Sequence, residues 1–362
     1  MKILYIITGL GVGGAERQVL DLADRFSEQG HTVKICYLTG PVLLRPKCSD
    51  IELIGLDLER TFVGLIKGSI RLRSVVKKFN PDAVHAHMVH ANLLSRVVRL
   101  ICPMNRLINT AHSTNEGGKF RMLAYRATHF LTDVMTHVTL AACKVFEQKK
   151  AAPVGQILDV SNGIDTALYK RVSFSGKRLR EAYGVSDDEK LILAVGRLEA
   201  AKDYKNLIFA FAQLSDDLAK TRLWIVGDGS ERQNLSDLVS SLNLADKITF
   251  LGVRSDVADI YNAADLYVLS SAWEGFGLVV AEAMASERVV VATDCGGVKE
   301  VVGECGYVVP SQNPSELSKA MSCALSLSGV SAESMGRLAR TRIVENYSID
   351  KIVSVWLTIY KA

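Results

Sequence analysis

Two carboxylates, Glu274 and Glu282, bracket the stretch Ser270-Ser-Ala-Trp-Glu-Gly-Phe-Gly-Leu-Val-Val-Ala-Glu-Ala-Met-Ala285. The apolar run Leu266-Tyr-Val-Leu269 before it suits a buried strand, and the Ala-rich segment after it has good helix propensity. Between them Gly275 and Gly277 flank Phe276, as in a backbone that turns tightly and lets a ligand come close. Strand, glycine turn and helix start together offer free N–H groups and a positive dipole end to an anion. A carboxylate beside such a cradle does not touch the phosphate. It accepts hydrogen bonds from hydroxyls, which points to a sugar or a ribose. A plainer reading also stands on the residues alone, with Glu274 capping the helix and Glu282 on a solvated face.

A second group of candidates follows the apolar run Leu191-Ile-Leu-Ala-Val195. Gly196-Arg197-Leu198 with Lys202 places two cations at a strand's carboxyl end, where open α/β sheets bind ligands and where a diphosphate would be met. No Asp-x-Asp occurs, so no acid pair is offered to Mg²⁺. Neutralising a leaving diphosphate would fall to Arg197, Lys202 and the helix start near Gly277, and no metal is expected. His85, His87 and His90 cluster after Pro81-Asp-Ala-Val, with no His/Cys set at zinc spacing. Gly9, Gly11 and Gly14 satisfy G-x-G-x-x-G, but the next strand ends Cys36-Tyr-Leu-Thr-Gly40 without the acid a nicotinamide ribose wants. The loop is a close-approach turn and not evidence for a dinucleotide.

The elements that must hold these groups alternate. Strand Ile3–Thr8, the glycine turn and an amphipathic helix 15–29 lead to strand Val33–Leu38, a basic helix Phe62–Phe79, a strand before His87 and a strand Arg106–Thr110. Helical Phe120–Thr132 and strand-like Met135–Leu140 follow. A second series has strands at 191–195, 223–226, 248–251, 266–269 and 289–292, and Asp228 reads as a cap for the helix after it. Alternation of this kind predicts parallel α/β sheets. Residues 1–165 read as one Rossmann-like domain, 166–185 as a polar, basic linker, and 186–349 as a second such domain, with an apolar tail helix at 350–362.

Composition sets the frame. With 362 residues, 48% of them hydrophobic, the chain can bury a large core and favours two domains over one. No run of eighteen apolar residues occurs, and Met1–Thr8 is too short for a signal peptide. Seven cysteines without a C-x-x-C pair suit a reduced, cytoplasmic compartment. The net charge of +4 hides an asymmetry: residues 1–180 carry 26 Lys and Arg against 14 Asp and Glu, residues 181–362 carry 17 against 25. The acidic half argues against nucleic acid as a partner. The basic half, with Lys67, Arg71, Arg73, Lys77 and Lys78 beside Phe62, Leu65, Ile66 and Ile70, points to peripheral attachment at an anionic membrane surface.

Glu274-Gly-Phe-Gly-Leu-Val-Val-Ala-Glu282 resembles the E-x7-E signature of glycosyltransferase family 4, and Gly196-Arg-Leu-x-x-x-Lys202 resembles that family's phosphate motif. Asp203 stands where the family often has Gly, and Ser161-Asn-Gly-Ile-Asp165 where it has P-N-G-I/V-D. The resemblance implies the GT-B architecture, two facing Rossmann-like domains with parallel sheets and a central cleft, with the tail helix packing back on the first. It implies retaining transfer of a hexosyl group from a nucleotide diphosphate sugar to a hydroxyl of a saccharide, lipid-linked if the membrane reading holds, as in cell-surface polysaccharide synthesis. Glu282 would bind the donor ribose and Glu274 the transferred sugar, with His87, Arg197 and Lys202 completing the catalytic set. Gly13 and Gly14 of the G-x-G-G-A-E opening, Val253 and Arg254 beside the base, and Gly275, Phe276, Gly277 and Leu278 would line the donor. His112, Asn115, Glu116 and Arg121, resembling a subgroup's H-S-x-N-E-G-G-x-x-R, would face the acceptor. A nucleotide-sugar epimerase, a phosphorylase and a non-catalytic nucleotide-sugar binder are the competing classes.

Overall fold

The computed structural model describes every residue except 60, 114, 115 and 215–219. The chain divides into two compact units, Met1–Gly163 with Ile349–Ala362, and Ile164–Ser348. Among the described residues each unit holds one sheet. In the first, β1 (Lys2–Ile7), β2 (Thr32–Tyr37), β3 (Glu52–Gly55), β4 (Ala83–His87), β5 (Leu107–Ala111), β6 (Val134–His137) and β7 (Ile157–Asp159) lie in the order β3-β2-β1-β4-β5-β6-β7. In the second, β8 (Lys190–Val195), β9 (Thr221–Val226), β10 (Ile248–Gly252), β11 (Leu266–Leu269), β12 (Val289–Asp294) and β13 (Tyr307–Pro310) lie in the order β10-β9-β8-β11-β12-β13. Every strand pair is parallel.

β1 shows why its apolar run is continuous. Ile3, Tyr5 and Ile7 face a layer built from the helix Gly14–Glu28 and the helix Ile349–Lys361, with Phe26, Val353 and Trp356 in contact. Leu4 and Ile6 face the opposite layer, where Leu72, Val76, Leu94 and Val98 pack. A strand with helices on both faces needs apolar residues at both phases of its period-two alternation. β8 does the same in the second unit, where Ile192 and Ala194 meet Leu207, Phe211 and Leu235.

The strand order reverses between β1 and β4 in one sheet and between β8 and β11 in the other. The crevice outside the carboxyl ends at such a point is where open α/β sheets take ligands. In the first unit that edge carries the Gly9–Gly14 loop and His87, in the second Gly196–Lys202 and Ser270–Glu274.

Several boundaries differ from those read in the sequence. The stretch 166–185 is no free linker: the helix Ser173–Ala182 lies in it, and a Cβ on Gly176 would come within 2.2 Å of the Asn262 carbonyl oxygen. Close backbone packing of this kind makes it part of the second unit. The strand expected at Met135–Leu140 stops at His137, because Thr139 caps a helix Leu140–Gln148 by accepting from the Ala142 N–H at 3.3 Å. Helix Lys119–Ala127 ends earlier than expected and a short 3-10 turn, His129–Leu131, follows. β3, β7 and β13 are three- and four-residue edge strands. The helix Phe62–Phe79 buries Gly64, Gly68, Leu72, Val76 and Phe79 and leaves Phe62, Val63, Leu65, Ile66 and Ile70 exposed. Its apolar residues therefore fall on two faces, only one of which is core.

Candidate functional site

In the second unit the loops after β8, β9, β11 and β12 are pressed together at one edge. Gly227 (φ +133°) lies so near Gly196 that a Cβ would sit 2.0 Å from its carbonyl oxygen, and Gly296 (φ +58°) stands in the same relation to Glu274. Both backbone conformations and both approaches require glycine. The Leu198 N–H donates to the Asp228 carbonyl at 2.9 Å and the Ala272 N–H to the Ala201 carbonyl at 2.9 Å. Asp228 thus serves the loop. Its carboxylate accepts from the Gly229 N–H at 2.8 Å and does not cap the helix Arg232–Ser241, which has no side-chain cap.

This packing brings Lys202 to Glu274. The ammonium donates to Glu274 Oε1, the Ser271 hydroxyl donates to the same oxygen at 2.8 Å, and the two charged side chains are only 19% and 13% exposed. The Ser270 hydroxyl holds the Lys202 carbonyl at 2.9 Å. Tyr204 and Cys295 feel the same centre: burial first and the Glu274 charge second push the Tyr204 hydroxyl up and the Cys295 thiol up to about 12. Arg197 is exposed and has no ion-pair partner among the described residues.

Glu282 sits in the second turn of the helix Leu278–Ala285 and is buried, so the solvated-face reading fails. Its Oε2 lies 2.9 Å from the Tyr261 hydroxyl, which also reaches the Val279 carbonyl at 3.0 Å. Gly277, in the left-handed region, caps that helix without a side-chain bond, so Glu274 is not the cap. Phe276 is buried edge-on against Tyr347 at 5.4 Å between centroids, which leaves its backbone, and that of Gly275, Gly277 and Leu278, to meet a ligand. Arg254 is committed: it donates to both Asp256 oxygens at 2.8 and 2.6 Å and to the Tyr183 hydroxyl at 3.1 Å. Beside it Val253 is 69% exposed.

In the first unit, Gly13 and Gly14 open the helix Gly14–Glu28 without a side-chain cap, and a Cβ on Gly13 would collide with the Glu16 carboxylate at 2.5 Å. His87 ends β4, buried, with its ring 3.9 Å from that of His85. His85 is satisfied by the Tyr360 hydroxyl at 2.7 Å and the Thr110 hydroxyl at 2.6 Å. His87 shares one hydrogen bond with His112, Nδ1 to Nε2 at 2.9 Å, and its buried Nε2 has no hydrogen-bond partner among the described residues. Burial holds His85 and His87 well below the usual imidazole range and His112 down to about 3, so all three are neutral at pH 7. His90 lies on the helix Val89–Arg99 and is exposed.

Glu116 is buried. Its carboxylate accepts from the Tyr125 hydroxyl at 2.7 Å and the His112 N–H at 3.2 Å, and burial pushes it up to about 7. Arg121 donates to the Glu116 carbonyl at 2.7 Å. His112, Glu116 and Arg121 therefore come together, while Asn115 lies outside the described residues. No group of three or more His, Cys, Asp or Glu side chains suited to a metal ion occurs among the described residues. Sequence reasoning missed Ser271, Tyr261 and Tyr360. Ser271 could have been found from its place three residues before Glu274, but nothing in a single sequence marks the two tyrosines.

Two family models match, one described as glycosyl transferases group 1 over residues 176–342 and one as glycosyltransferase family 4 over residues 12–168. An uncharacterized glycosyltransferase of Methanocaldococcus jannaschii is 30% identical over 77% of this chain and 75% of its own. The chain belongs to glycosyltransferase family 4. Among other relatives of this family 4 chain, the N-acetyl-alpha-D-glucosaminyl L-malate synthase of Bacillus anthracis is 27% identical over 96% of this chain and 94% of its own. The crystal structure of Anabaena HepE in complex with UDP superposes with a TM-score of 0.88 at 21% identity, covering 100% of both chains, and shares the GT-B fold. The protein is a glycosyltransferase enzyme.

Proposed function

We propose that the enzyme is a metal-independent, retaining hexosyltransferase that uses a nucleotide diphosphate sugar and delivers the hexose to a hydroxyl of a saccharide presented at a membrane. The carrying observation is the Lys202–Glu274–Ser271 cluster beside unpaired Arg197, at the carboxyl edge where β8 and β11 part. One carboxylate and two cations then divide the donor between them. Arg197 and Lys202 take the diphosphate, and Glu274, fixed by Ser271, accepts from a hydroxyl of the sugar. Buried Glu282, held by Tyr261, accepts from the ribose. In the first unit the neutral imidazole of His87 keeps a buried Nε2 with no hydrogen-bond partner among the described residues, free to meet a hydroxyl of a ligand.

In the reaction the bond from the anomeric carbon to the diphosphate oxygen breaks, and a bond to the acceptor oxygen forms on the same face. The acceptor's proton passes to the leaving phosphate. Charge on that phosphate grows towards the transition state, where Arg197 and Lys202 act. The Bacillus anthracis relative is named for joining an N-acetylglucosaminyl group to malate, and HepE has been crystallised with UDP; both names support a sugar-nucleotide donor, with UDP the first base to test. The membrane part rests on the exposed Phe62, Val63, Leu65, Ile66 and Ile70 beside Lys67, Lys77 and Lys78, since core packing does not account for that face. No helix among the described residues is long and apolar enough to cross a membrane.

The test is incubation with a panel of radiolabelled nucleotide sugars, saccharide acceptors and EDTA. Transfer with retained anomeric configuration is expected. Conversion of the donor without an acceptor would replace this reading by epimerisation, and transfer abolished by EDTA and restored by Mg²⁺ would remove its metal-free part.

A further inference from the structure

Beside Glu116 the first unit carries a groove of about 920 Å³, which neither the histidine stack nor the donor loops use. One wall is a single face of the helix Lys119–Ala127, with Lys119, Met122, Leu123 and Arg126 at the spacing of successive turns. The other wall is the end of the helix Leu140–Gln148, continued by Lys149 and Lys150. Four cations thus surround one concave space. Lys119, Arg126 and Lys150 have no ion-pair partner among the described residues.

Glu116 is the one acid in the lining, and it does not offset them. Both of its oxygens are turned to internal donors, the Tyr125 hydroxyl and the His112 N–H. Like charges gathered round a cavity repel one another, and a multiply charged anion seated among them turns that repulsion into binding. Buried Met122 and exposed Leu123 add an apolar strip alongside, so the fitting ligand carries its anion on a larger body.

We infer that this groove binds a phosphate or diphosphate group of the acceptor, so that the enzyme glycosylates a phosphorylated substrate. The inference rests on reading His112, Glu116 and Arg121 as the acceptor side. The phosphate ester can belong to a soluble sugar phosphate or to a lipid phosphate, since both present the same dianion.

Pyrophosphate is titrated calorimetrically into the wild-type protein, into Lys119→Gln/Arg126→Gln and into Arg197→Ala, with Lys150→Gln as a milder second groove variant. The double substitution is expected to weaken one binding event about tenfold or more, as loss of charge-assisted contacts does. Arg197→Ala should weaken a separate event. If neither groove variant changes pyrophosphate binding, the inference falls, whatever Arg197→Ala does. If only the groove variants matter, the inference stands and the donor reading of Arg197 falls. Glucose 6-phosphate and dodecyl phosphate below its micelle concentration then separate the sources. Tighter binding of dodecyl phosphate, lost in Leu123→Asn, assigns the groove to a lipid phosphate, and equal or tighter binding of glucose 6-phosphate assigns it to a soluble one.

Discussion

Replacing Lys202 by Met strands Glu274 in a pocket where its side chain is 13% exposed and keeps, among the described residues, the Ser271 hydroxyl as its hydrogen-bond donor. Breaking a fully buried pair by removing one partner costs about 3–5 kcal/mol. This pair retains some solvent contact and a hydroxyl donor, so about 2 kcal/mol is expected. For a unit of this size that is a fall of roughly 4–8 °C in melting temperature. Glu274→Met leaves the ammonium stranded and should cost a similar amount. The double variant removes both charges and should melt close to wild type, because apolar replacement of a buried pair is often neutral. Differential scanning calorimetry of the four proteins gives the cycle, and transfer assays on the same samples should show all three variants inactive. Additive losses in the double variant would refute the pairing. So would single variants as stable as wild type.

Tyr261→Phe removes the hydroxyl that meets Glu282 and should weaken nucleotide diphosphate binding by calorimetry, less than Glu282→Ala does; the latter should cost about 1.5–3 kcal/mol, tenfold to over a hundredfold in affinity. Arg197→Ala should lower turnover more than it raises the donor Michaelis constant, a split that steady-state kinetics reads directly. Glu116, neutral in the folded protein until about pH 7, contributes stability that is complete below its ordinary value of 4.5 and lost as pH rises through about 7. His112 and His137, held down to about 3 and about 4 by burial, act in the opposite sense as pH falls below 6.5. The difference in melting temperature between wild type and Glu116→Gln should therefore change between about pH 4.5 and 7 and be flat below 4.5. Cosedimentation with phosphatidylglycerol vesicles should fall at high salt and in Phe62→Ser/Ile66→Ser, and equal binding to neutral vesicles would remove the membrane from the reading.

The parts of the site that were legible in the sequence are those set by the backbone. Gly275–Gly277, Gly196 and the apolar runs before them encode strand, turn and helix within a few residues, and the switch-point rule then places Arg197, Lys202 and Glu274 together. What stayed hidden depends on contacts distant in the chain. Tyr261 meets Glu282 across 21 residues, and His85 meets Tyr360 across 275. No local periodicity records such pairs. The basic helix shows a subtler failure. Phe62, Leu65, Ile66 and Ile70 read as the apolar side, yet Gly64 and Gly68 lie on the face that packs, where a Cβ on Gly68 would strike Leu58 at 2.6 Å. Glycine carries no hydropathy signal, so the pattern does not mark the face on which Gly64 and Gly68 pack. The tight edge strands β3, β7 and β13 were too short to show a pattern.

The tail helix has a consequence for how the protein is made. Trp356 and Tyr360 fill the layer over β1, with Tyr360 bonded to His85 and Tyr5, yet residues 164–348 must be synthesised between them and the strands they cover. At 5–20 residues per second a ribosome takes roughly 10 to 40 s over that insertion. The second unit is contiguous and can fold as it emerges. The first, although translated earlier, waits with one face of its sheet partly uncovered, and in that interval Ile3, Tyr5 and Phe26 are surfaces for a chaperone to hold. The unit begun first is the one completed last.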